Sequence, residues 1–339
     1  MWNPDAFLEE LLFSAPPRYS FQAADKMQWQ AWRSALKEAF LQKLAMPERN
    51  QVKLNPVLLE RVDCGDYIRE RIQLETAPHL SMPCYVLKPK QAAVPALIAC
   101  PGHGYGSKEL VGLLPDGSVR PGEPGIYKDY PIEWARRGWT VIVPEMLGLG
   151  DRRTQADQSK PPKEPSCFRL ASNLLMIGKT LAGYRVHEMM CCVDYLLEQP
   201  EVAPDRIGCM GFSGGGLVMA MTAAVDERIR AAVICGYTNT YRDSILAKPH
   251  CLDNYIPGLL SCAEMPDLFG LIAPRPLFIE SGLDDPGFPA AGTQKAIQAL
   301  QTIYDVLECG SLLDYDLHPG KHEVSGRKAY NWLQRQLQG

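Results

Sequence analysis

Residues 210–216 read Met-Gly-Phe-Ser-Gly-Gly-Gly, so one serine hydroxyl stands among four glycines. Glycine inside an element costs stability, and a cluster of glycines indicates a tight turn or a close approach of the backbone to another group. Residues 211–215 also fit the pattern G-x-S-x-G, in which a nucleophilic serine occupies a sharp turn between a strand and a helix. This pattern arises by chance in roughly one chain in ten of this length, so its surroundings decide what it means.

The segments on either side of Ser213 favour a strand-turn-helix arrangement. RIGCMGF (206–212) is typical of a buried strand, and GGGLVMAMTAAV (214–225) of a helix. The N-terminus of that helix would direct free N–H groups and the positive end of its dipole at the hydroxyl. A glycine-rich turn without chemistry, or one that binds phosphate, is the alternative. Neither GxGxxG nor GxxxxGK[ST] is present, which disfavours a nucleotide site.

A serine hydroxyl becomes a nucleophile only when a base removes its proton, and histidine is the usual base. In folds that carry this turn, the chain order is serine, acid, histidine. Only His318 and His322 lie beyond Asp284 and Asp285, the carboxylates that follow the predicted strand PLFIESG. His318 ends an apparent strand, whereas His322 lies in a loop that could reach across the sheet edge. We therefore predict His322 as the base. The complete set of histidines is His79, His103, His187, His250, His318 and His322.

The acid is expected just after the strand PLFIESG, where Asp284 and Asp285 stand in GLDDPGFP. Asp285 precedes Pro286 and lies closer to the turn that follows, so we prefer it as the group that orients the imidazole. Asp284 suits a carboxylate that caps the turn. Asp243, after the preceding strand, is a further alternative.

An oxyanion formed at the serine needs two preorganised hydrogen-bond donors. One is expected to be the N–H of Gly214, and the other an N–H in the loop PGHGYG (101–106). Position favours His103 as the second donor, with Gly104 or Tyr105 as alternatives. The His103 imidazole precedes the serine in the chain and is not expected to be the base. We assign Tyr105 and Phe212 to substrate binding.

Metal chemistry has weaker support in the sequence. His187 and Glu188 resemble the start of an HExxH metal motif, but the second histidine is missing. Eleven cysteines form no CxxC pair and mostly occupy apolar runs, which favours buried thiols in a reducing compartment over disulfides or a zinc site. We predict no metal and no organic cofactor. The loop 148–153 and Lys108 suit either a polar substrate group or a solvated surface.

Alternation of strands and helices after residue 94 predicts a mostly parallel sheet covered on both faces. Residues 56–88 read as antiparallel strands at the sheet edge, and 171–200 as one long helix. We predict a helical extension over 1–55 and a catalytic domain over 56–339, with an insertion at about 238–270. The N-terminal helices could serve as a lid, a subunit contact or part of the core.

The whole chain bounds the choice of partners. It has 339 residues, 46% of them hydrophobic and 22% charged, with a formal net charge of −4. The absence of a basic surface disfavours nucleic acid, and no apolar run reaches the roughly 18 residues of a membrane span. The first residues lack the features of a signal peptide, so a cytoplasmic protein is expected. A small-molecule substrate is the predicted partner, and the sequence is compatible with a homo-oligomer.

From about residue 60 onward the chain resembles α/β-hydrolases of the dienelactone-hydrolase-like and acetyl-xylan-esterase-like group. The segments that carry this resemblance are LIACPGHGYG, VDYLLEQPEVAPDRIGCMGFSGGG, NYIPGLL, LFGLIAPRPLFIESGLDDPGFP and HPGKHE. The resemblance implies an α/β-hydrolase fold with Ser213, Asp285 and His322 as the catalytic triad. Dienelactone hydrolases themselves have cysteine in place of Ser213, which argues against that narrower activity. A peptidase is disfavoured because no propeller domain fits in the chain.

The resulting hypothesis is a serine hydrolase that cleaves carboxylic esters through an acyl-enzyme, with acetyl-type esters suggested by the resemblance. The alternative is a catalytically silent α/β-hydrolase scaffold that binds a ligand or a protein partner. A set of serine, acid and histidine in the expected order favours the enzyme.

Overall fold

The structure is a computed structural model that describes residues 2–48, 53–90 and 94–338. Its centre is a nine-stranded sheet in the order β1-β2-β3-β5-β4-β6-β7-β8-β9. The strands are β1 (Val57–Asp63), β2 (Tyr67–Ala77), β3 (Leu80–Pro89), β4 (Val94–Cys100), β5 (Thr140–Pro144), β6 (Val202–Phe212), β7 (Ala231–Cys235), β8 (Leu277–Gly282) and β9 (Leu313–His318).

Two kinds of strand pairing divide the sheet. β1, β2 and β3 pair antiparallel, and β3 joins the remaining strands through an antiparallel pairing with β5. From β5 to β9 every pairing is parallel. β4 and β5 are buried at every position, as expected for strands that helices cover on both faces. The predicted antiparallel edge and mostly parallel sheet are confirmed.

Helices pack on both faces of the sheet. They are α1 (Asp5–Phe13), α2 (Lys26–Leu44), α3 (Ser107–Leu110), α4 (Tyr130–Arg136), α5 (Cys167–Met176), α6 (Leu181–Leu197), α7 (Gly214–Val225), α8 (Met265–Gly270), α9 (Ala290–Val306) and α10 (Ala329–Gln338). Within the described ranges, each of these helices is too short or too polar to cross a membrane.

The single helix predicted over 171–200 is wrong, because the structure has α5 and α6 there. Gly178 lies at φ +71°, in the left-handed region that glycine adopts without a steric penalty, and it ends the first helix. Thr180 then caps the second helix, since its side chain accepts a hydrogen bond from the N–H of Gly183 at 2.9 Å. The apolar periodicity continues across this break, which explains why the pattern concealed it.

The N-terminal helices differ in how they meet the rest of the chain. α2 buries Leu36, Phe40 and Leu44 completely in the main core. Its C-terminus is fixed to α6, because the Thr180 hydroxyl donates to the Leu44 carbonyl at 2.5 Å. No residue of α1 is buried. A lid, a subunit contact and part of the core were the roles considered for this region. In the structure, α2 forms part of the core. The domain boundary at residues 55 and 56 stays a prediction.

Residues 238–270, predicted as an insertion, lie between β7 and β8 and contain α8 and irregular segments. Together with residues 11, 12 and 14–18 and with Leu175, they line a cavity of about 640 Å³. None of Ser213, Asp285 and His322 is among the lining residues, so this cavity is separate from the predicted triad.

Replacing Phe40 with alanine should lower the free energy of unfolding by about 3–5 kcal/mol, because the ring is fully buried and its removal leaves a cavity. Urea denaturation followed by circular dichroism measures the change. Phe7→Ala is the control, since Phe7 is 64% exposed and its removal should leave stability nearly unchanged. Equal stabilities for wild type and Phe40→Ala would contradict the packing described for α2.

Candidate active site

Ser213 lies in the turn between β6 and α7, as the sequence predicts. Its backbone has φ +56° and ψ −122°, which is unusual for a residue with a side chain. The strained backbone is held in place by a hydrogen bond from the Ser213 N–H to the Cys235 carbonyl on the adjacent strand, at 2.9 Å. Strain of this kind persists only where neighbouring structure imposes it, and it often marks functional positions.

The glycines around Ser213 are required by close approaches of the backbone. A Cβ added to Gly211 would lie 2.2 Å from the Gly215 carbonyl oxygen, and one added to Gly215 would lie 2.2 Å from the Cys100 carbonyl oxygen. Side chains at either position would therefore collide with backbone atoms that cannot move away easily. The turn, α7 and the end of β4 pack in contact only because these residues are glycine.

His322 and Asp285 meet Ser213 at the carboxyl edge of the sheet. His322 Nε2 is 2.9 Å from Ser213 Oγ, and His322 Nδ1 is 2.7 Å from Asp285 Oδ2. Ser213 follows β6, Asp285 follows β8 and His322 follows β9, so three parallel strands deliver the three groups to one edge. The structure thus brings together the serine, acid and histidine chosen from the sequence.

Asp285 is fixed through both carboxylate oxygens. While Oδ2 faces the imidazole, Oδ1 accepts hydrogen bonds from the N–H groups of Gly287 at 2.8 Å and Phe288 at 3.0 Å. The residue is 5% exposed. Asp284 is exposed and its N–H donates to the Gly320 carbonyl. Asp243 pairs with Lys295 at 2.7 Å, in a different part of the surface.

Two aromatic rings hold the imidazole of His322. Phe288 stacks on it with ring centroids 5.8 Å apart and planes at 16°, and Phe212 packs at 4.6 Å. The imidazole side chain remains 28% exposed, so a substrate can approach it. Phe288 was not singled out in the sequence, although its position three residues after Asp285 could have suggested that its N–H caps the carboxylate.

Glu280 on β8 forms hydrogen bonds with the loop that carries His322. Its buried carboxylate accepts hydrogen bonds from the N–H groups of Ser325 and Gly326, both at 2.8 Å. Burial raises the pKa of Glu280. His318, the alternative base, ends β9 and is 4% exposed. Its ring lies against Gly320 of the following loop, whereas His322 Nε2 lies 2.9 Å from Ser213 Oγ.

The two predicted oxyanion donors are neighbours. Gly214 is the first residue of α7, and the first N–H groups of a helix have no partner within it. A Cβ added to Gly214 would lie 3.9 Å from the His103 backbone nitrogen and 3.0 Å from its Nδ1. Both backbone N–H groups are thus close to the serine turn, and the His103 ring packs against it.

The two predicted substrate-binding residues have internal contacts. The Tyr105 hydroxyl donates to the Leu113 carbonyl at 2.9 Å, and its N–H donates to Glu109 at 3.1 Å. Phe212 is 1% exposed and lies between the rings of His322 and Tyr127. Their assignment to substrate binding stays a prediction, and the observed contact of Phe212 is with the imidazole.

A second polar group, which the sequence did not reveal, surrounds the His103 imidazole. His103 Nε2 is 2.9 Å from Asp253 Oδ2, and Arg185 donates to the same carboxylate at 2.5 Å. Although burial favours the neutral ring, Asp253 and Cys167 raise the pKa of His103 to about 10. Hydrogen bonding from Cys251, aided by Arg185, lowers the pKa of Cys167 to about 5. No local spacing links these residues, so only the fold reveals them.

The fragments that gave ambiguous signals have structural partners. Glu188 forms a buried two-point ion pair with Arg152, at 2.5 and 2.6 Å, and also accepts from Thr76. His187 Nε2 is 2.8 Å from the Thr76 carbonyl oxygen. Lys108 pairs with Asp151 at 2.9 Å. These contacts occupy the charged groups of the HExxH-like fragment and of the loop 148–153.

Glu145, at the end of β5, holds the start of α3 in the loop that contains His103. Its buried carboxylate accepts from the Ser107 hydroxyl at 2.7 Å and from the Ser107 N–H at 3.1 Å. Burial raises the pKa of Glu145 to about 8, although the hydrogen bonds from Ser107 favour the ionised form. The side chain is therefore a source of pH-dependent stability beside the candidate site.

The sheet order and the strained serine after β6 define an α/β-hydrolase. Residues 5–291 match the Abhydrolase family, and the chain belongs to that family. Over 271 residues it is 28% identical to the protein named "Putative hydrolase YtaP" from Bacillus subtilis (strain 168), covering 76% of this chain and 83% of that protein. The predicted hydrolase class and the α/β-hydrolase fold are confirmed.

Solved structures show the same fold. A crystal structure described as a "putative acetyl xylan esterase" from Bacteroides fragilis NCTC 9343 has a TM-score of 0.78 at 19% identity, covering 94% of this chain and 83% of that one. A glucuronoyl esterase from Solibacter usitatus has a TM-score of 0.69 at 14% identity, covering 96% and 98%. The acetyl-xylan-esterase-like resemblance seen in the sequence is thus confirmed at the level of the fold.

Replacing Glu145 with glutamine should flatten the pH dependence of stability. Because the folded-state pKa of about 8 exceeds the ordinary value of 4.5, the folded protein retains a proton that the unfolded chain loses. Stability from this group is complete below about pH 4.5 and is lost as the pH rises toward 8, by at most about 1.4 kcal/mol per pH unit. Urea denaturation of both proteins at several pH values between these limits measures the difference.

The control for this experiment is Glu123→Gln, since Glu123 is exposed. Its free energy of unfolding should differ from that of the wild type by a constant amount across the pH range. If Glu145→Gln also differed by a constant amount, the raised pKa would be contradicted.

Proposed function

We propose that this protein is a serine esterase that cleaves small-acyl carboxylic esters through an acyl-enzyme intermediate. The observation that carries the proposal is the continuous chain of contacts from Asp285 through His322 to Ser213, at 2.7 and 2.9 Å. A hydroxyl, an imidazole and a buried carboxylate in this order have the geometry of a nucleophile, a general base and the group that orients the base.

In the first half of the reaction, Ser213 Oγ attacks the ester carbonyl carbon while His322 Nε2 accepts its proton. Asp285 holds the ring with Nδ1 protonated and stabilises the imidazolium that forms. The imidazolium then donates its proton to the alkoxide of the alcohol as the C–O bond breaks. The alcohol leaves, and the acyl group remains on the serine.

The tetrahedral oxyanion would be stabilised by the N–H groups of Gly214 and His103. Both belong to rigid elements beside the serine, the first turn of α7 and the loop after β4. Each such donor typically lowers the barrier by about 3 kcal/mol. The positive end of the α7 dipole adds to the same stabilisation.

Deacylation repeats these steps with water as the nucleophile. His322 Nε2 removes a proton from water, the hydroxide attacks the acyl carbon, and the proton passes to Ser213 as the enzyme is restored. The His322 side chain is 28% exposed, which leaves water a route to the imidazole. No step in this sequence requires a group beyond the residues named.

The proposed substrate class is an ester of a short acyl group, such as acetyl on a sugar or another alcohol. This choice rests on structurally similar proteins that are described as acetyl xylan esterases, because the fold alone does not define a substrate. A small-molecule ester is the proposed partner, while cytoplasmic location and homo-oligomer formation remain predictions.

Ser213→Ala should abolish hydrolysis of p-nitrophenyl acetate, with a loss of about 10⁴-fold or more in kcat because the nucleophile is gone. A fluorophosphonate probe should label the wild-type protein at Ser213 and leave the variant unlabelled. Circular dichroism checks that both proteins are folded. A folded wild-type protein that is neither labelled nor active would instead favour the ligand-binding scaffold.

Asp285→Asn should lower kcat by about 10³- to 10⁴-fold, because an amide cannot hold the imidazole in the required tautomer or stabilise its charge. Asp284→Asn is the matched control and should retain most of the activity, since Asp284 is exposed and adjacent in the chain. Steady-state kinetics with p-nitrophenyl acetate compares the two. A larger loss in Asp284→Asn would assign the acid to that residue.

A further inference from the structure

Four side chains with metal-binding atoms converge behind the serine turn. They are His103, Cys167, Cys251 and Asp253, and one ligand atom from each lies within 4.8 Å of the ligand atoms of the other three. His103 Nε2 is 2.9 Å from Asp253 Oδ2 and 3.8 Å from Cys167 Sγ. We propose that these four residues form a structural zinc site. This inference goes beyond the proposed esterase activity and does not depend on it.

The spacing of the four atoms suits tetrahedral zinc. Bonds of about 2.3 Å to sulfur and about 2.0–2.1 Å to nitrogen or oxygen place tetrahedral ligand atoms about 3.3–3.8 Å from one another. Adjustments of about 1 Å or less, within reach of side-chain rotation, would bring the group to that geometry. Such a convergence of residues from positions 103, 167 and 251–253 could not be recognised from sequence spacing.

The chemistry of the donors favours zinc over other divalent ions. Two sulfur atoms and one imidazole nitrogen are soft or borderline ligands, which Mg²⁺ and Ca²⁺ avoid in favour of oxygen. One carboxylate completes a set of four. Sites with four protein ligands are closed and serve structure, whereas catalytic zinc keeps one position for water or substrate.

Burial and charge also fit a bound dication. Cys167 and Asp253 are 0% and 2% exposed. The fully buried Arg185 donates to Asp253 Oδ2 at 2.5 Å and to Cys167 Sγ at 3.0 Å, while it also donates to the Leu147 carbonyl. Contacts of this kind orient the ligands of a metal site from outside. His103 and Cys251 are partly buried. Two thiolates and one carboxylate would balance the charges of Zn²⁺ and the guanidinium, so the group would carry no net charge.

The ligands come from three separate parts of the fold. His103 is in the loop after β4, Cys167 is the first residue of α5, and Cys251 and Asp253 belong to the insertion. A metal at this point would fasten the insertion and α5 to the loop that holds the His103 N–H. Because the His103 ring packs against Gly214, the site would support the serine turn from behind while leaving the backbone N–H groups free.

Elemental analysis of the purified full-length protein tests the proposal. The protein is produced in medium supplied with zinc, freed of any affinity tag and passed over a desalting column without chelator. About one zinc per chain is expected, as for a closed structural site. Cys251→Ser should lower the zinc content by about fivefold or more, because one thiolate ligand is lost. Cys309→Ser is the matched control, since this partly exposed cysteine contacts the Tyr304 carbonyl and lies outside the cluster.

A second measurement uses only the wild-type protein and therefore holds if Cys251→Ser fails to fold. Iodoacetamide labelling followed by mass spectrometry should leave Cys251 unmodified until a chelator is added, while Cys309 is labelled in both states. Zinc-free wild-type protein, equal zinc in Cys251→Ser and wild type, or labelling of Cys251 that chelator does not change would each overturn the proposal. A disulfide between Cys167 and Cys251 in the purified protein would also overturn it.

Discussion

The close contact between the serine turn and the end of β4 is the constraint on which the candidate site depends. Gly215 lies against the Cys100 carbonyl and Gly211 against the Gly215 carbonyl, at separations that exclude a Cβ. Ser213 has a positive φ in this turn, and its hydroxyl lies 2.9 Å from His322 Nε2. The contact also brings the loop after β4 beside the first turn of α7. The proposed nucleophile and the proposed oxyanion donors are thus positioned by the same packing of three backbone segments.

Parallel strands supply the remaining geometry. Since β6, β8 and β9 all run in the same direction, the residues that follow them emerge at a common edge, and groups more than 100 positions apart in the chain come within hydrogen-bonding distance. Glu280 adds a connection from within the sheet, because it holds the N–H groups of Ser325 and Gly326 just after His322. The imidazole is thereby fixed by the sheet as well as by its loop.

Much of this could be predicted from the sequence because the deciding signals are local. The glycines mark the turn, the apolar runs mark the strands, and the order of serine, acid and histidine restricts the choice of residues. Two kinds of feature escaped. The break between α5 and α6 is hidden because the apolar pattern continues across Gly178. The group formed by His103, Cys167, Cys251 and Asp253 is assembled only by tertiary packing, and no motif spans it. Because the cysteines lack CxxC spacing, their positions in the sequence did not indicate this group.

The arrangement around Asp285 has a consequence for how charge moves during the proposed reaction. Its carboxylate is held by two backbone amides on one oxygen and by the imidazole on the other, and the rings of Phe212 and Phe288 pack against the imidazole. The Asp285 carboxylate, which would stabilise a newly formed imidazolium, is therefore already oriented before an ester binds. For a histidine in water, solvent molecules must reorient when the ring becomes charged. Around His322 the stabilising groups are already in place, so the reorganisation energy is expected to be smaller. Proton transfer can then proceed with the heavy atoms nearly stationary.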